Sequence, residues 1–241
     1  MMMVALLAAL AATAANTTPR SFVSSNVHRN APVWINADDA IDANGNPRPD
    51  AFTDYELRFL DATAARLAAQ QPTANGRSAE KDGCDITLSP PTDNRPDDLG
   101  VSARWADVVR KSRDHGVVSG IVTGTAVGFS LAVPQTLVTV EVDGPRHEVV
   151  YLLYPTGATT VRGRRYCGSE GWAPLPSIGD AITFVRVTPL DVSGLLFAPR
   201  GEDVIYEHDG RAVVAPRLRS DADVTRLGSF SAMKASLAPK R

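Results

Sequence analysis

A mainly β fold with peripheral helices, of the α+β class, is predicted by three features of the sequence. Apolar residues repeat at helical spacing up to Gly116 and at every second position after it. Eight short strand candidates follow between residues 117 and 214, and turn signals separate them. A closed or partly closed barrel fits this spacing, because closure leaves few exposed strand edges. We therefore expect an antiparallel barrel preceded by two short helices.

Residues 1–15 predict a secretory signal peptide. They carry no charged side chain, the run Val4–Leu10 is apolar, and small residues follow at a position suited to cleavage. The apolar run is shorter than the roughly 20 residues that span a bilayer. A frayed alanine-rich helix is the alternative interpretation. Cleavage would place the mature chain outside the cytoplasm, in the periplasm or secreted, and we expect it to carry no transmembrane segment.

Export gives the two cysteines, Cys84 and Cys167, a specific meaning. An oxidising compartment permits a disulfide, whereas exposed free thiols are poorly tolerated there. Closing a loop of this length contributes about 4.5 kcal/mol in the chain-entropy model, less any strain in the native state. Two buried or free thiols are the alternative. We expect a Cys84–Cys167 disulfide.

Residues 16–99 are expected to form an N-terminal arm, a helix and a long loop. Asp42, Asn44 and Asn46 have the spacing of the first ligands of a calcium-binding loop. The pattern then fails, because Pro47 stands where that loop needs glycine and no glutamate follows at its last position. A plain turn is the preferred interpretation of this segment.

The helix is predicted over residues 53–70. Thr53 and Glu56 have the spacing of a capping box, and apolar residues recur at helical spacing behind them. The predicted apolar face consists of Tyr55, Phe59, Leu60 and Leu67. Residues 72–99 then form a long proline-rich loop, which a disulfide at Cys84 would attach to the body of the protein.

Residues 100–218 are predicted to form the barrel domain. A second helix is expected over residues 101–113, where Val101, Trp105, Val108 and Val109 share one face and Gly116 can end it. The predicted strands are 117–125, 137–142, 149–154, 161–167, 181–187, 194–198, 204–207 and 211–214. Residues 219–241 are predicted to be a polar tail, in which Leu227, Phe230, Met233 and Leu237 could place a short helix against the barrel.

Three short motifs within residues 100–200 resemble a known type of domain. Cys167-Gly168 is followed by the turn Gly179-Asp180, which leads into a strand containing Phe184. This order resembles exported bacterial OB-like barrel domains related to netrin and metalloprotease-inhibitor modules. The resemblance implies an OB-like barrel. The N-terminal cysteine with which those inhibitors engage a metal is missing from this sequence, as are their many disulfides.

Charge and motif content exclude several classes of function. The chain has 25 basic and 27 acidic residues, a net charge of −2, which argues against nucleic acid as a partner. The sequence contains no nucleophile elbow, HExxH motif, P-loop or dinucleotide fingerprint. The four histidines, His28, His115, His147 and His208, do not pair at metal-ligand spacing, and we read His147 as structural and His208 as solvated. We therefore expect no catalytic motif, metal or cofactor.

One local cluster is a candidate ligand surface: Arg162, Arg164, Tyr166 and Trp172. On a continuous strand over residues 161–167, the first three would share a face. Arginine and aromatic side chains on one barrel face are typical of OB-type binding surfaces. The resulting hypothesis is an exported binding or interaction module for an unknown protein or small ligand. The alternative is an extracytoplasmic hydrolase with an unrecognised site.

Overall fold

A computed structural model describes residues 21–22, 32–69, 83–88, 100–145, 147–168 and 174–237. The predicted signal peptide, most of the long loop, His28 and Trp172 lie outside these residues. The strands are β1 (Ser21–Phe22), β2 (Trp34–Asn36), β3 (Ile86–Leu88), β4 (Val117–Ser130), β5 (Val133–Val142), β6 (Val149–Tyr154), β7 (Ala158–Val161), β8 (Arg164–Gly168), β9 (Ala181–Val185), β10 (Leu196–Phe197), β11 (Val204–His208) and β12 (Arg211–Val213). The helices are α1 (Ala37–Ala40), α2 (Asp54–Ala69), α3 (Trp105–His115), α4 (Ala222–Leu227) and α5 (Phe230–Leu237).

The larger sheet has nine strands in the described residues. Seven follow the order β10-β6-β5-β4-β9-β11-β12, and β2 joins β4 from the side with β1 at its edge. The long strand β4 runs antiparallel to β5 and to β9, with an irregularity between Val122 and Gly124 that bends it. Among the described residues, no pairing between β10 and β12 closes this order.

The larger sheet is nevertheless strongly curled. Strands β10 and β9 are four strand spacings apart in its order, which in a flat sheet would separate them by roughly 19 Å. The rings of Phe197 on β10 and Phe184 on β9 instead have centroids 5.8 Å apart. The sheet therefore folds round until its distant strands share one interior.

That interior, called here the sheet core, is filled with apolar side chains. It comprises Val122, Val138, Val140, Val150, Leu152, Tyr154, Ile182, Phe184, Phe197, Val204 and Tyr206, and all of them are buried. They come from six strands that the two-residue apolar period places on one face. Burying this surface is the main driving force for the curled sheet.

Helices α3, α4 and α5 cover the outer side of β9, β11 and β12. Trp105, Val108, Phe230, Met233 and Leu237 pack there in one buried cluster with side chains of these strands. Trp105 also donates its indole N–H to Ser236 Oγ at 3.1 Å. The described part of the predicted tail therefore forms two packed helices, whereas we expected one.

A second region, called here the N-terminal lobe, packs where β4 ends and β5 begins, around residues 129–133. It consists of α1, α2 and a three-stranded sheet in the order β3-β8-β7. Its buried cluster includes Phe52, Leu60, Ile86, Phe129 and Tyr166. Because Phe129 lies on β4, this cluster shares strands with the curled sheet.

Strand β2 crosses close to β4 because Gly128 has no side chain. A Cβ at this position would lie 2.4 Å from the Trp34 ring, which is closer than van der Waals contact allows. Trp34 is fully buried and packs with Phe22, Leu137, Leu153 and Leu196. The described strands of the N-terminal arm are therefore part of the packed structure.

The sequence predictions of secondary structure are largely confirmed, with local corrections. Helix α2 and strand β6 match their predicted ranges, and β5 and β6 are antiparallel. Helix α3 begins four residues later than predicted, leaving Val101 exposed. Two short pairs, β10 with β6 and β3 with β8, are parallel. The expectation of an antiparallel barrel was wrong for the first pair, and Ile86–Leu88, predicted as part of the long loop, forms a strand. Long connections separate these partners, so no local turn signal announces their pairing.

The predicted apolar face of α2 was also wrong in part. The capping box forms, with Glu56 Oε2 accepting from the Thr53 backbone N–H at 2.8 Å and Glu56 N–H donating to Thr53 Oγ1 at 3.3 Å. This draws Glu56 to the buried side of the helix. Tyr55, one position earlier, is turned outward and is 73% exposed.

Among the described residues, no helix combines the length and the apolar composition that crossing a bilayer requires.

Candidate functional sites

The predicted arginine surface is divided between a turn and a strand. Arg162 and Gly163 both have positive φ, 50° and 74°, and form the hairpin turn between β7 and β8. The expectation that Arg162 lies on a continuous strand beside Arg164 and Tyr166 was therefore wrong. Strand β8 starts only at Arg164, where Arg164 and Tyr166 do share a face.

Arg162 also has partners within the protein. Its guanidinium forms an ion pair with Asp61 on α2, and its backbone N–H donates to Gly45 O at 2.7 Å. Gly45 belongs to the turn in which Asp42 Oδ1 accepts from the N–H groups of Asn44 and Asn46, the plain turn that the sequence favoured. These backbone hydrogen bonds lower the pKa of Asp42. Arg162 therefore links the hairpin turn to α2.

Tyr166 is buried inside the N-terminal lobe, so its ring faces the core and leaves no aromatic surface for a ligand. Burial raises the pKa of its hydroxyl. Of the four predicted residues, Arg164 is half-buried, Arg162 is exposed and Trp172 lies outside the described residues. In the described part of the structure, these side chains do not form one binding face.

The predicted disulfide between Cys84 and Cys167 is present, with Cα atoms 6.0 Å apart. Strand β3 begins two residues after Cys84 and pairs with β8, which contains Cys167. Asp85 reinforces the attachment, because its carboxylate accepts from the Arg165 N–H at 2.7 Å and its own N–H donates to Arg165 O at 2.9 Å. The disulfide, the strand pairing and the Asp85 hydrogen bonds together attach residues 83–88 to β8.

A shallow, mainly apolar groove of about 290 Å³ runs beside β1. Its lining residues are Ser21, Phe22, Tyr151, Asp191, Val192, Ser193 and Leu195. The rings of Phe22 and Tyr151 meet edge to face with centroids 5.0 Å apart, and Val192 is 70% exposed. Sequence reasoning missed this groove because its three segments are distant in the chain.

One wall of the groove is held in shape by a buried carboxylate. Asp191 accepts from the backbone N–H groups of Ser193, Leu195 and Leu196 at 3.0, 3.2 and 2.7 Å, and from the Ser193 hydroxyl. The carboxylate is thereby saturated with local donors, and it is only 5% exposed. The groove therefore has a rigid wall and an apolar character.

A polar cluster lies where residues 174–180 meet the curled sheet. Asp180, which is largely buried, accepts from Ser177 N–H at 2.8 Å and contacts His208 Nδ1 at 3.0 Å. The hydrogen bond to Asp180 raises the pKa of His208. The Tyr154 and Tyr206 hydroxyls both donate to Pro174 O, at 3.2 and 2.6 Å. Burial, with the charge of Asp180, raises the pKa of Tyr206 to about 12.

The histidine expectations need correction in detail. His208 is half-exposed, as a hairpin-turn residue should be, but its ring is anchored to Asp180. His147 is exposed and contacts Glu141 at 2.8 Å, so the structural reading of this residue was wrong. No group of three His, Cys, Asp or Glu side chains in the described parts of the chain is placed to hold a metal ion.

Comparison with known proteins identifies no family for this chain. The chain has no significant match among protein-family models, curated proteins or solved structures.

Proposed function

We propose that the protein is an exported binding module, built on an OB-like barrel, that captures an apolar segment of a partner protein in the groove beside β1. The observation that carries this proposal is the groove itself, where exposed Val192 and half-buried Tyr151 present apolar surface above buried Phe22, beside a wall fixed by Asp191. Exposed apolar surface next to rigid backbone is typical of interaction sites.

The curled sheet supports the barrel part of the proposal. Strands β10 and β11 are separated by only six residues along the chain. Strand β10 pairs with β6, at one end of the order β6-β5-β4-β9, and β11 pairs with β9, at the other end. If β10 and β11 act as one interrupted strand, the order β6-β5-β4-β9 closes on itself as in an OB-like barrel. Since the sheet core is filled with side chains, a ligand would bind on the outside.

Two observations support export. The disulfide between Cys84 and Cys167 is of the kind that persists in oxidising compartments. Residues 1–15 have the pattern of a signal peptide. N-terminal sequencing of protein recovered from outside the cytoplasm tests this part: a start near residue 16 supports export with cleavage, and an intact Met1 contradicts it.

An extended polypeptide is the occupant that the groove favours. Strand β1 pairs with β2 on one side, and no other strand in the described residues pairs with it. A partner segment could add backbone hydrogen bonds along β1 while placing an apolar side chain against Tyr151. The carboxylate of Asp191 is already saturated, so the groove offers no charged anchor for a polar ligand.

Site-specific photocrosslinking tests the groove. Benzoylphenylalanine replaces Val192 in one variant and Tyr55 in a matched control, since both side chains are apolar and about 70% exposed. In the cells that naturally produce the protein, we expect discrete partner adducts from position 192 and none from position 55. Adducts at neither position, or equal adducts at both, contradict a binding site in the groove.

A hydrolase is the second candidate, and the pair of Asp180 and His208 favours it. Asp180 contacts Nδ1 of the His208 ring, which leaves Nε2 for proton transfer. This Nε2 atom lies 3.6 Å from Asp209 Oδ2. Hydrolysis of p-nitrophenyl acetate by wild-type protein, lost in His208→Gln, supports this candidate. A wild-type rate equal to that of His208→Gln rejects it for this probe.

A further inference from the structure

Helix α3 and the turn before β11 are joined by a buried polar cluster that the proposed function does not use. Lys111 Nζ donates to Asp203 Oδ2 at 2.8 Å and to Gly100 O at 2.6 Å. Ser102 Oγ donates to the other oxygen, Asp203 Oδ1, at 2.7 Å. Lys111, Asp203 and Ser102 are 3%, 1% and 0% exposed, so water is excluded from all three.

Burial of this ion pair carries a large desolvation cost. Two charges removed from water are compensated by their mutual attraction only when the geometry and the remaining hydrogen bonds are excellent. The side chains of Lys111 and Asp203 are also a nitrogen and a carboxyl group that can condense to an amide with loss of water, and they are held in contact at 2.8 Å.

We propose that Lys111 and Asp203 form an intramolecular isopeptide bond. Nζ first gives one proton to Oδ2 along their hydrogen bond. Its lone pair then attacks Asp203 Cγ, and the Cγ–Oδ2 bond breaks. Oδ2 leaves as water with that proton and a second proton from Nζ. The ammonium and carboxylate become a neutral amide and water, so charge and atoms balance without any co-reactant.

The surrounding hydrogen bonds fit the product as well as the ion pair. After Oδ2 has left, Oδ1 becomes the amide oxygen and still accepts from Ser102 Oγ. The remaining Nζ–H can still donate to Gly100 O. The oxygen that is lost is the one that Lys111 contacts, so the reaction removes two buried charges and leaves no polar atom of the cluster without a partner.

The position of the bond gives it a structural consequence. It would join α3 to the segment entering β11, and so fasten the helical cover to the curled sheet. The disulfide makes the corresponding covalent link in the N-terminal lobe. The proposal does not depend on the function proposed for the groove.

Mass spectrometry of the denatured, reduced full chain tests the proposal. The wild-type protein should be lighter by one water than its sequence requires, and Lys111→Arg, which keeps the charge but lacks the primary amine, should show no such loss. Trypsin should release Lys111–Arg113 joined to Gly201–Arg211, with the bond at Lys111 resisting cleavage. The fragment spectrum must place the link on Lys111 and Asp203.

An internal control is available in the exposed pair of Lys234 and Asp143. These side chains lie at the same distance, 2.8 Å, but are 40% and 52% exposed, and we expect no link between them. A wild-type mass that matches the sequence overturns the proposal. So does a water loss located at Asp82-Gly83, Asp143-Gly144 or Asp209-Gly210, where succinimide formation would give the same mass change. Because the wild-type protein decides the result, failure of the Lys111 variant to fold would not affect the test.

Discussion

The sheet core and the N-terminal lobe are held together in different ways. The sheet core is built from side chains of six strands, and each strand is recognisable from its own apolar pattern. The N-terminal lobe combines short elements through single long-range links: the disulfide, the ion pair of Arg162 with Asp61, and the Gly45 hydrogen bond. Both regions contain a buried apolar cluster, but the N-terminal lobe adds specific long-range links to its packing, whereas the sheet core consists of packed strands.

The largest expected effect comes from truncating the sheet core. Phe184 is fully buried and contacts Phe197 across the curl. Phe184→Ala should lower the free energy of unfolding by about 3–5 kcal/mol, through lost burial and a residual cavity. Urea denaturation measures it. Tyr55→Ala is the control, because its exposed ring should change stability by less than about 0.5 kcal/mol. Equal losses in the two variants would show that Phe184 does not organise the core.

Removing the disulfide should have a smaller and more local effect. A Cys84→Ser, Cys167→Ser double variant should lose about 2–4 kcal/mol, within the range for native disulfides. Hydrogen exchange should accelerate first in residues 83–88 and in β8, while β4, β5 and β6 keep their protection. This follows because strand pairing and packing, independent of the disulfide, hold the curled sheet. Uniform acceleration over both regions would contradict the distinction between them.

Loss of the helix cap in the N-terminal lobe should cost still less. Thr53→Ala removes the hydroxyl that accepts from the Glu56 N–H and donates to its buried carboxylate. We expect a loss of about 1 kcal/mol in urea denaturation, with faster hydrogen exchange in the first turn of α2. Thr53→Ser keeps the hydroxyl and should retain most of the stability. A Ser variant as unstable as the Ala variant would show that the cap is not the cause.

The contrast between local patterns and long-range links also explains which structural features could be predicted from the sequence. Strand β6 was predicted to the residue because Val149–Tyr154 is one apolar run, and the β11–β12 hairpin followed from His208-Asp209-Gly210. These signals are local. The burial of Tyr166 and the exposure of Tyr55 depend on partners elsewhere in the chain, which no local period reveals.

The candidate sites were harder to predict than the fold for the same reason. The cysteine pair could be assigned because export restricts what two lone cysteines do. The groove, the Asp180–His208 pair and the Lys111–Asp203 pair each bring together residues far apart in the sequence. Gly179-Asp180 was recognised only as a turn, although Asp180 also orients His208. A lysine on a helix gives no sign, in sequence, that its amine is buried.

The smallest expected effect concerns the contact between His208 and Asp180, and it tests whether this surface contact stabilises the curled sheet. The hydrogen bond that the His208 ring donates to the Asp180 carboxylate raises the pKa of His208 above the value of about 6.5 that it has in the unfolded chain. The folded state therefore binds the proton more tightly. The contribution to stability is fully present below the unfolded pKa and is lost as the pH rises through the folded pKa.

Urea denaturation across that pH range measures the contribution, and NMR titration of the His208 ring measures its pKa directly. His208→Gln should remove the part of the pH dependence that this residue supplies, and Asp180→Asn should remove nearly the same part because the partner charge is gone. The effect should be small, since the histidine ring is half-exposed and solvent screens the pair. A His208 resonance that titrates at the unfolded value would show that the Asp180 contact does not form in solution, and with it the orientation that the hydrolase candidate requires.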